Sequence, residues 1–501
     1  MDPEATTGGL MATQIETLRE GLKLLPQVAA HSAANTPDLR TIFTPPSHEG
    51  ALDPSREIVV GDRGVGKSFW SSVLKDDAAR TAISTIYPRL GLDKLSVSLG
   101  FSEVIGRREY PSARTINTLM SALIPPDLIW RSVILHSINP ALLPDGWENM
   151  EWLARCNWVK ANPEREEGIL SQFNGELQHR GRVHLIVFDA LDRLGADWKS
   201  IRILTKSLLA AVLDLRSFSA LKAKVFIRPD MESDRELWSI RDGSKLKQNM
   251  VRLNWTTKDL YGFVWHWFLL EPETRAEFSN LSKRKVGVTI AVQGGEHLIE
   301  VPDQLLHDEE KQKTLFEVLA GKLMGAGSKK GHPYTWIPKH LADARGSVSL
   351  RSFIIALRDA ARSTPSMSKT AMTYDQIKKG VQQASHNRVE QLKEDYVWIE
   401  DVLQPLSGLS TPNEDDEFAK RWRKDKTIDK IFSMKSLDPD CLIPVELEGS
   451  KTTDKDVYER LIDALRSIGV AERRDDGRLN IPDLFQVASG MVRRGGVRPI
   501  Q

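Results

Sequence analysis

The sequence predicts an α/β chain built on a five-stranded, mostly parallel sheet. Three observations predict it. A β-branched run, Ile58-Val59-Val60, leads into Gly61-Asp62-Arg63-Gly64-Val65-Gly66-Lys67-Ser68, and an apolar-rich segment from Phe69 to Leu74 opens a helix behind it. Four more short apolar runs follow, at 95–101, 183–188, 223–227 and 250–254, separated by stretches of helical spacing. Gly61, Asp189 and Arg228 fall at the carboxyl ends of three of these runs, where open parallel sheets hold their ligands.

Composition narrows the class. The chain has 501 residues, enough for more than one domain. Its apolar fraction is 41% and its charged fraction 27%, as in globular proteins. A net charge of +1 gives no global basic field, so a nucleic-acid contact needs a local patch. Two cysteines, Cys156 and Cys441, exclude a disulfide framework and a Cys-based zinc site. The 11 histidines show no metal-ligand spacing. No apolar run is long enough to span a bilayer and no signal-peptide pattern opens the chain, so a cytoplasmic protein without a membrane partner is expected. Met11 follows a polar leader, 1–10, expected to be unstructured, and is a second candidate start.

The elements follow in order. Ile15, Leu18, Leu22, Leu25 and Val28 recur at helical spacing over 12–30, and a Pro/Ser-rich loop, 35–54, leads to the first strand. After the second strand, 107–111 is an exposed loop. The region 115–178 is helical, and its Trp130, Trp147, Trp152 and Trp158 are core packing rather than base-stacking residues. The third strand, 183–188, ends at Asp189, and a helix spans 199–218. The fourth strand ends at Arg228-Pro229-Asp230. Beyond Thr256 the pattern turns helical, with 304–324, 350–361 and 374–403 as helices and a hairpin at 283–301 around Gly294-Gly295. Residues 325–331 form a flexible loop, 362–369 marks a boundary, and 407–414 is a linker. A helix at 457–468 stops at Gly469, and Asp475-Asp476-Gly477 turns a hairpin between 470–474 and 478–481. That helix–hairpin order is winged-helix-like.

The spacing G-x-x-x-x-G-K-S between a strand and a helix is that of a phosphate-binding loop. Its glycines let backbone N–H groups turn inward around phosphate oxygens, and the helix adds its positive end. Gly61, Asp62, Arg63, Gly64, Val65, Gly66, Lys67, Ser68 and Phe69 are the nucleotide-binding set. Lys67 reaches the β- and γ-phosphates and Ser68 ligates Mg²⁺. A second acid is needed, and Asp189 supplies it at a strand end, holding Mg²⁺ through its water shell. Ala190 stands where many ATPases carry a Glu base. Asp192 is the next residue able to polarise the attacking water; otherwise it caps or salt-bridges locally, with Arg193 as partner.

Phe188-Asp189-Ala190-Leu191-Asp192-Arg193-Leu194 resembles the second acidic motif of NACHT-type members of the STAND class of P-loop NTPases, and its ending resembles the KAP ATPases. Arg193 departs from the acid of the NACHT pattern, and the membrane helices common in KAP proteins are absent from the sequence. The resemblance implies a slow ATPase using ATP and Mg²⁺ as a switch. It further implies a homo-oligomer or an effector protein as partner, of the kind found in bacterial anti-phage and conflict systems. It implies that Arg228 senses the γ-phosphate; the alternative is a structural ion pair with Asp230 or Asp234. Arg351, before the helix at 350–361, is a candidate second sensor, or a solvated helix start.

The expected organisation is an N-terminal helix and arm at 1–50, a P-loop NTPase core at 51–256, a helical lid at 257–365, a helical linker at 366–414 and a winged-helix-like domain at 415–501. An alternative function is a DNA-handling AAA+-like ATPase, a loader or transposition regulator, whose wing residues Arg473, Arg474 and Arg478 contact phosphates. The run 421–426 mixes cations with Trp422 and reads as a solvated helix face.

Overall fold

The computed structural model describes residues 3–26, 37–106, 109–195, 197–291, 298–327, 330–438 and 441–493, with backbone alone for 3–12 and 493. The chain divides into two compact units. A sheet unit comprises Ala30–Leu39 and His48–Leu253, and a helical unit comprises Met1–Ala29, Arg40–Ser47 and Asn254–Gln501.

In the sheet unit five strands, β1 (Ile58–Val60), β2 (Leu95–Phe101), β3 (Val183–Phe188), β4 (Leu221–Ile227) and β5 (Met250–Arg252), pair in the order β2-β3-β4-β1-β5. Every pairing is parallel. The β-branched and aromatic side chains of β1 and β3 explain this placement. Ile58, Val59, Val60, Leu185, Ile186, Val187 and Phe188 are all buried, as strands covered on both faces must be. The helices Ala113–Ser121, Pro126–His136, Trp152–Ala161, Pro163–His179 and Trp198–Asp214 fill the stretches between β2, β3 and β4. Trp130, Trp147 and Trp152 are buried, and the Trp130 indole donates to the Leu204 carbonyl at 2.8 Å. Packing, as expected, is their role. Trp158 is half-buried, with the Arg165 guanidinium 5.6 Å from its ring centre. Of the loop expected at 107–111, residues 107–108 lie outside the described residues and 109–111 contain no helix or strand.

The helical unit begins with the helix Pro3–Lys23. The leader expected to be unstructured is therefore helical from Pro3. Once Leu18 and Leu22 are buried, extending the helix toward the N-terminus needs propagation and no new nucleus. The helix stops short of residue 30 because Pro26 disfavours helical geometry in the residue before it. Arg19, fully buried, donates to the carbonyls of Ser366, Ser368, Thr370 and Ala371, so the polar stretch after the helix Leu350–Ser363 is folded around a guanidinium.

Three expectations for this unit are corrected. Residues 283–286 end the helix Pro272–Val286 and do not start a strand; Lys283, Arg284 and Lys285 suit its negative C-terminal end, and Gly287 at φ 69° closes it. Val288, Ile290, Leu298 and Val301 are buried without strand pairing, and Gly294-Gly295 lie outside the described residues. The helix expected at 304–324 is two helices, Asp303–His307 and Glu309–Ala320. Asp308 separates them by accepting from the Lys311 N–H at 3.1 Å, and buried Gln312 donates back to the Leu305 carbonyl at 2.6 Å. The helix expected at 374–403 likewise breaks after Asp395 and resumes as Ile399–Leu403.

The C-terminal helix–hairpin order is present. The helices Asp415–Asp425, Thr427–Leu437 and Val457–Ser467 precede β7 (Glu472–Arg473) and β8 (Leu479–Asn480), an antiparallel pair turned at Gly477, φ 82°. The linker expected at 407–414 contributes β6 (Ser410–Thr411), parallel to β9 (Val492–Arg493). Among the described residues no helix is long and apolar enough to cross a membrane.

Candidate nucleotide site

The site is built from the strand ends upward. β1 runs between β4 and β5, and its exit is fixed on both sides: the Gly61 N–H donates to the Ile227 carbonyl at 3.1 Å, and the Leu253 N–H donates to the Val60 carbonyl at 2.7 Å. The loop then turns through Gly64 at φ 81° and Gly66 at φ 108°, in the left-handed region where a side chain is strained. Gly66 is the N-cap of the helix Lys67–Lys75 and brings no side chain to cap its first turn, the end of a helix that favours an anion. Val65 is buried under the loop, leaving Asp62, Arg63, Gly64 and Phe69 partly exposed.

The helix behind the loop is anchored by residues that sequence reasoning missed. The Trp70 indole donates to His48 Nδ1 at 3.0 Å, and both side chains are buried. His48 lies in the short turn Pro46–His48 of the lead-in, read from sequence only as a loop. A Trp two residues after the Lys-Ser pair, with a His in the approaching loop, was the available signal.

Lys67 turns its ammonium onto its own loop, donating to the carbonyls of Gly61 at 2.6 Å and Asp62 at 2.9 Å. Desolvation pushes its pKa below the ordinary lysine value, and the nearby Arg228 charge pushes it further, against the opposing pull of Asp189, Asp192 and Asp62. Asp189 is buried at the end of β3, its N–H donating to the Phe101 carbonyl at 3.0 Å. Burial raises its pKa, while the Lys67 charge and the Ser68 hydroxyl act to keep it ionised. Its Oδ2 is buried with no hydrogen-bond partner. A buried carboxylate oxygen left unpaired beside a hydroxyl and an ammonium fits a hydrated Mg²⁺. Among the described residues no group of three or more His, Cys, Asp or Glu side chains could hold a metal. Phosphate oxygens and water would therefore complete the shell around Ser68 and Asp189.

Ala190 adopts φ 58°, ψ 37° and bends the chain into the turn Leu191–Arg193. That bend carries Asp192 toward β4, where its carboxylate pairs with Arg228 at 2.6 Å. The expected local partner, Arg193, instead faces Glu103 at 3.4 Å. Arg228 is in an ion pair, as one reading allowed, and the partner in that pair is Asp192. Asp234 is taken by Arg202 at 2.6 Å, and Asp230 Oδ1 accepts from the Met231 N–H. Lys67, Ser68, Asp189, Asp192 and Arg228 thus interact at adjacent strand ends.

Arg351 belongs to the helical unit, where it is half-buried as the second residue of the helix Leu350–Ser363. Of the wing arginines, Arg473 pairs with Asp415 at 2.5 Å and Arg478 with Asp476 at 2.6 Å, while Arg474 is exposed. Trp422 is fully buried and its indole donates to the Val402 carbonyl, so the basic run 421–426 is one side of a packed helix.

No protein-family model and no curated protein matches the chain. Among solved structures, it is similar to the Aeropyrum pernix ORC2 protein in ADPNP–ADP complexes, at 12% identity and a TM-score of 0.38, over 90% of this chain and 96% of that one. A Walker-type ATPase of Pyrococcus abyssi matches at 13% identity and 0.35, over 90% and 99%. The Aeropyrum pernix ORC1 protein in complex with DNA matches at 14% and 0.33, over 94% and 96%.

Proposed function

We propose that the chain is an ATP-binding, slowly hydrolysing switch ATPase. The observation that carries this reading is the meeting of a glycine-turned loop, an inward lysine, a buried carboxylate with one unpaired oxygen and an arginine at the ends of β1, β3 and β4. The loop and the helix start bind the phosphates, and Lys67 exchanges its two carbonyls for phosphate oxygens. Ser68 and Asp189 would hold Mg²⁺, which when bound would neutralise charge at the phosphates. Arg228 reads the γ-phosphate, and Arg351 is a candidate second sensor. Ala190 offers no general base, which suits a slow turnover and a device that acts through its bound state.

In the role implied by the STAND-like motif, ATP binding changes a surface read by an effector protein or by further copies of the chain, within a bacterial anti-phage system. Lys67→Ala tests the assignment: nucleotide affinity and turnover fall to background, and unchanged hydrolysis overturns it. Solution mass measured without nucleotide, with ATP–Mg²⁺ and with a non-hydrolysable analogue tests the assembly.

The helix–hairpin order at 415–493 favours a second reading, a DNA-handling AAA+-like ATPase. It requires salt-sensitive duplex binding that is lost when Arg473, Arg474 and Arg478 are replaced together.

A further inference from the structure

The ion pair between Asp192, in the turn Leu191–Arg193 that follows β3, and Arg228, the residue after β4, ties together the segments that leave two neighbouring strands. The pair is shielded, with the Arg228 side chain 14% exposed and the Asp192 side chain 16%. A guanidinium cannot shed its proton, so at that depth it needs an anion. Arg228 also shares its surroundings with a second cation, Lys67, which feels its charge. Two cations facing one small site repel unless anions lie between them. Asp192 supplies one such anion within the chain; a γ-phosphate would supply another, with more acceptor oxygens and more charge.

We propose that Asp192 is an internal competitor for the γ-phosphate: it holds Arg228 while the site is empty or contains a nucleoside diphosphate, and yields it when a nucleoside triphosphate arrives. This rests on the nucleotide-switch reading above. Asp192 is then a positioning residue for Arg228, and not the base that activates water. The free energy of the Asp192–Arg228 pair is subtracted from triphosphate binding and leaves diphosphate binding untouched, so the pair sets the preference between the two. The same competition gives the switch its threshold, because a ligand shifts two states only through its differential affinity for them.

The test uses the full chain with Mg²⁺ and two probes, ADP and a non-hydrolysable ATP analogue with an intact γ-phosphate group, titrated by calorimetry. Asp192→Asn tightens the analogue about tenfold, the ratio that corresponds to about 1.4 kcal/mol, and leaves ADP affinity unchanged. In an Arg228→Gln background the same change has no effect on either probe. Asp192→Glu, which keeps the charge, stays near the wild-type preference. Unchanged ADP affinity also shows that the variants are folded; if Asp192→Asn does not fold, Asp192→Ser carries the same expectation. An unchanged preference in Asp192→Asn, or a shift that persists without Arg228, overturns the competitor. Wild-type protein that binds neither probe overturns the nucleotide reading itself, whereas binding that requires Lys67 with no effect of Asp192 overturns the competitor alone.

Discussion

A β-carbon placed on Gly61 would lie 2.8 Å from Cγ2 of Val65 and 3.4 Å from Leu253. The first glycine of the loop is therefore fixed by packing: Val65 must tuck beneath the turn, and only a bare α-carbon leaves it room. Gly61→Ala is expected to destabilise the protein by about 1–3 kcal/mol, as overpacking does, and to weaken nucleotide binding. Val65→Ala removes the opposing methyl. The Gly61→Ala/Val65→Ala double variant is expected to recover part of both losses, read by chemical unfolding and nucleotide titration.

Asp189 is expected to show opposite effects on stability and on function. Its buried carboxylate is costly to ionise, yet an ionised oxygen there is what a magnesium shell requires. Asp189→Asn keeps the shape and removes the charge. The nucleotide-free protein should be as stable as wild type or more so, by up to about 2 kcal/mol, while the gain in nucleotide affinity on adding Mg²⁺ disappears. Thermal melts with and without Mg²⁺–nucleotide separate the two effects.

Two buried histidines predict acid sensitivity. His184 lies on β3 between the Ser96 and Ser98 hydroxyls, and burial lowers its pKa to about 4. His266 lies in the helix Thr257–Leu270 with Nδ1 facing the Ile299 carbonyl, and its pKa is also lowered to about 4 by burial. Each imidazole is neutral when folded, while the unfolded chain takes up a proton near pH 6.5. Between these values the unfolded state binds more protons, so stability rises with pH from about 4 to 6.5 and is lost as pH falls through that window. Each site accounts for up to about 3 kcal/mol of that loss. His184→Gln should flatten the dependence in the sheet unit, and His266→Gln in the helical unit, measured by urea unfolding between pH 4 and 7.

The strands and the loop were legible because their signals are local. β1, β2 and β3 begin and end where the apolar runs do, and the glycine spacing marks the phosphate turn. The pairing of Arg228 with Asp192 was not legible. Asp230 and Asp234 are near it in sequence, whereas Asp192 becomes a neighbour only once β3 and β4 are adjacent. The hairpin at 283–301 was misread because β-branched residues there serve burial rather than pairing; Val288 and Ile290 enter the core as irregular chain. The β6–β9 pair was missed because two-residue strands carry no periodicity, and their partners lie far apart in the chain.

The discontinuous helical unit sets an order of events during synthesis. The helix Pro3–Lys23 is made before the sheet unit, but Leu18 and Leu22 are buried with residues of a unit that, apart from the short piece Arg40–Ser47, resumes at Asn254. At ~5–20 residues per second, residues 24–256 take on the order of ten to fifty seconds to appear. All five strands of the sheet are made in that interval and can close around their own core, while an apolar helical stripe waits in water for Trp267 and Phe268. This helix is therefore exposed to aggregation while the sheet unit is being made, and a chaperone that shields short amphipathic segments would act on it before the glycine-turned loop 61–68 has been translated.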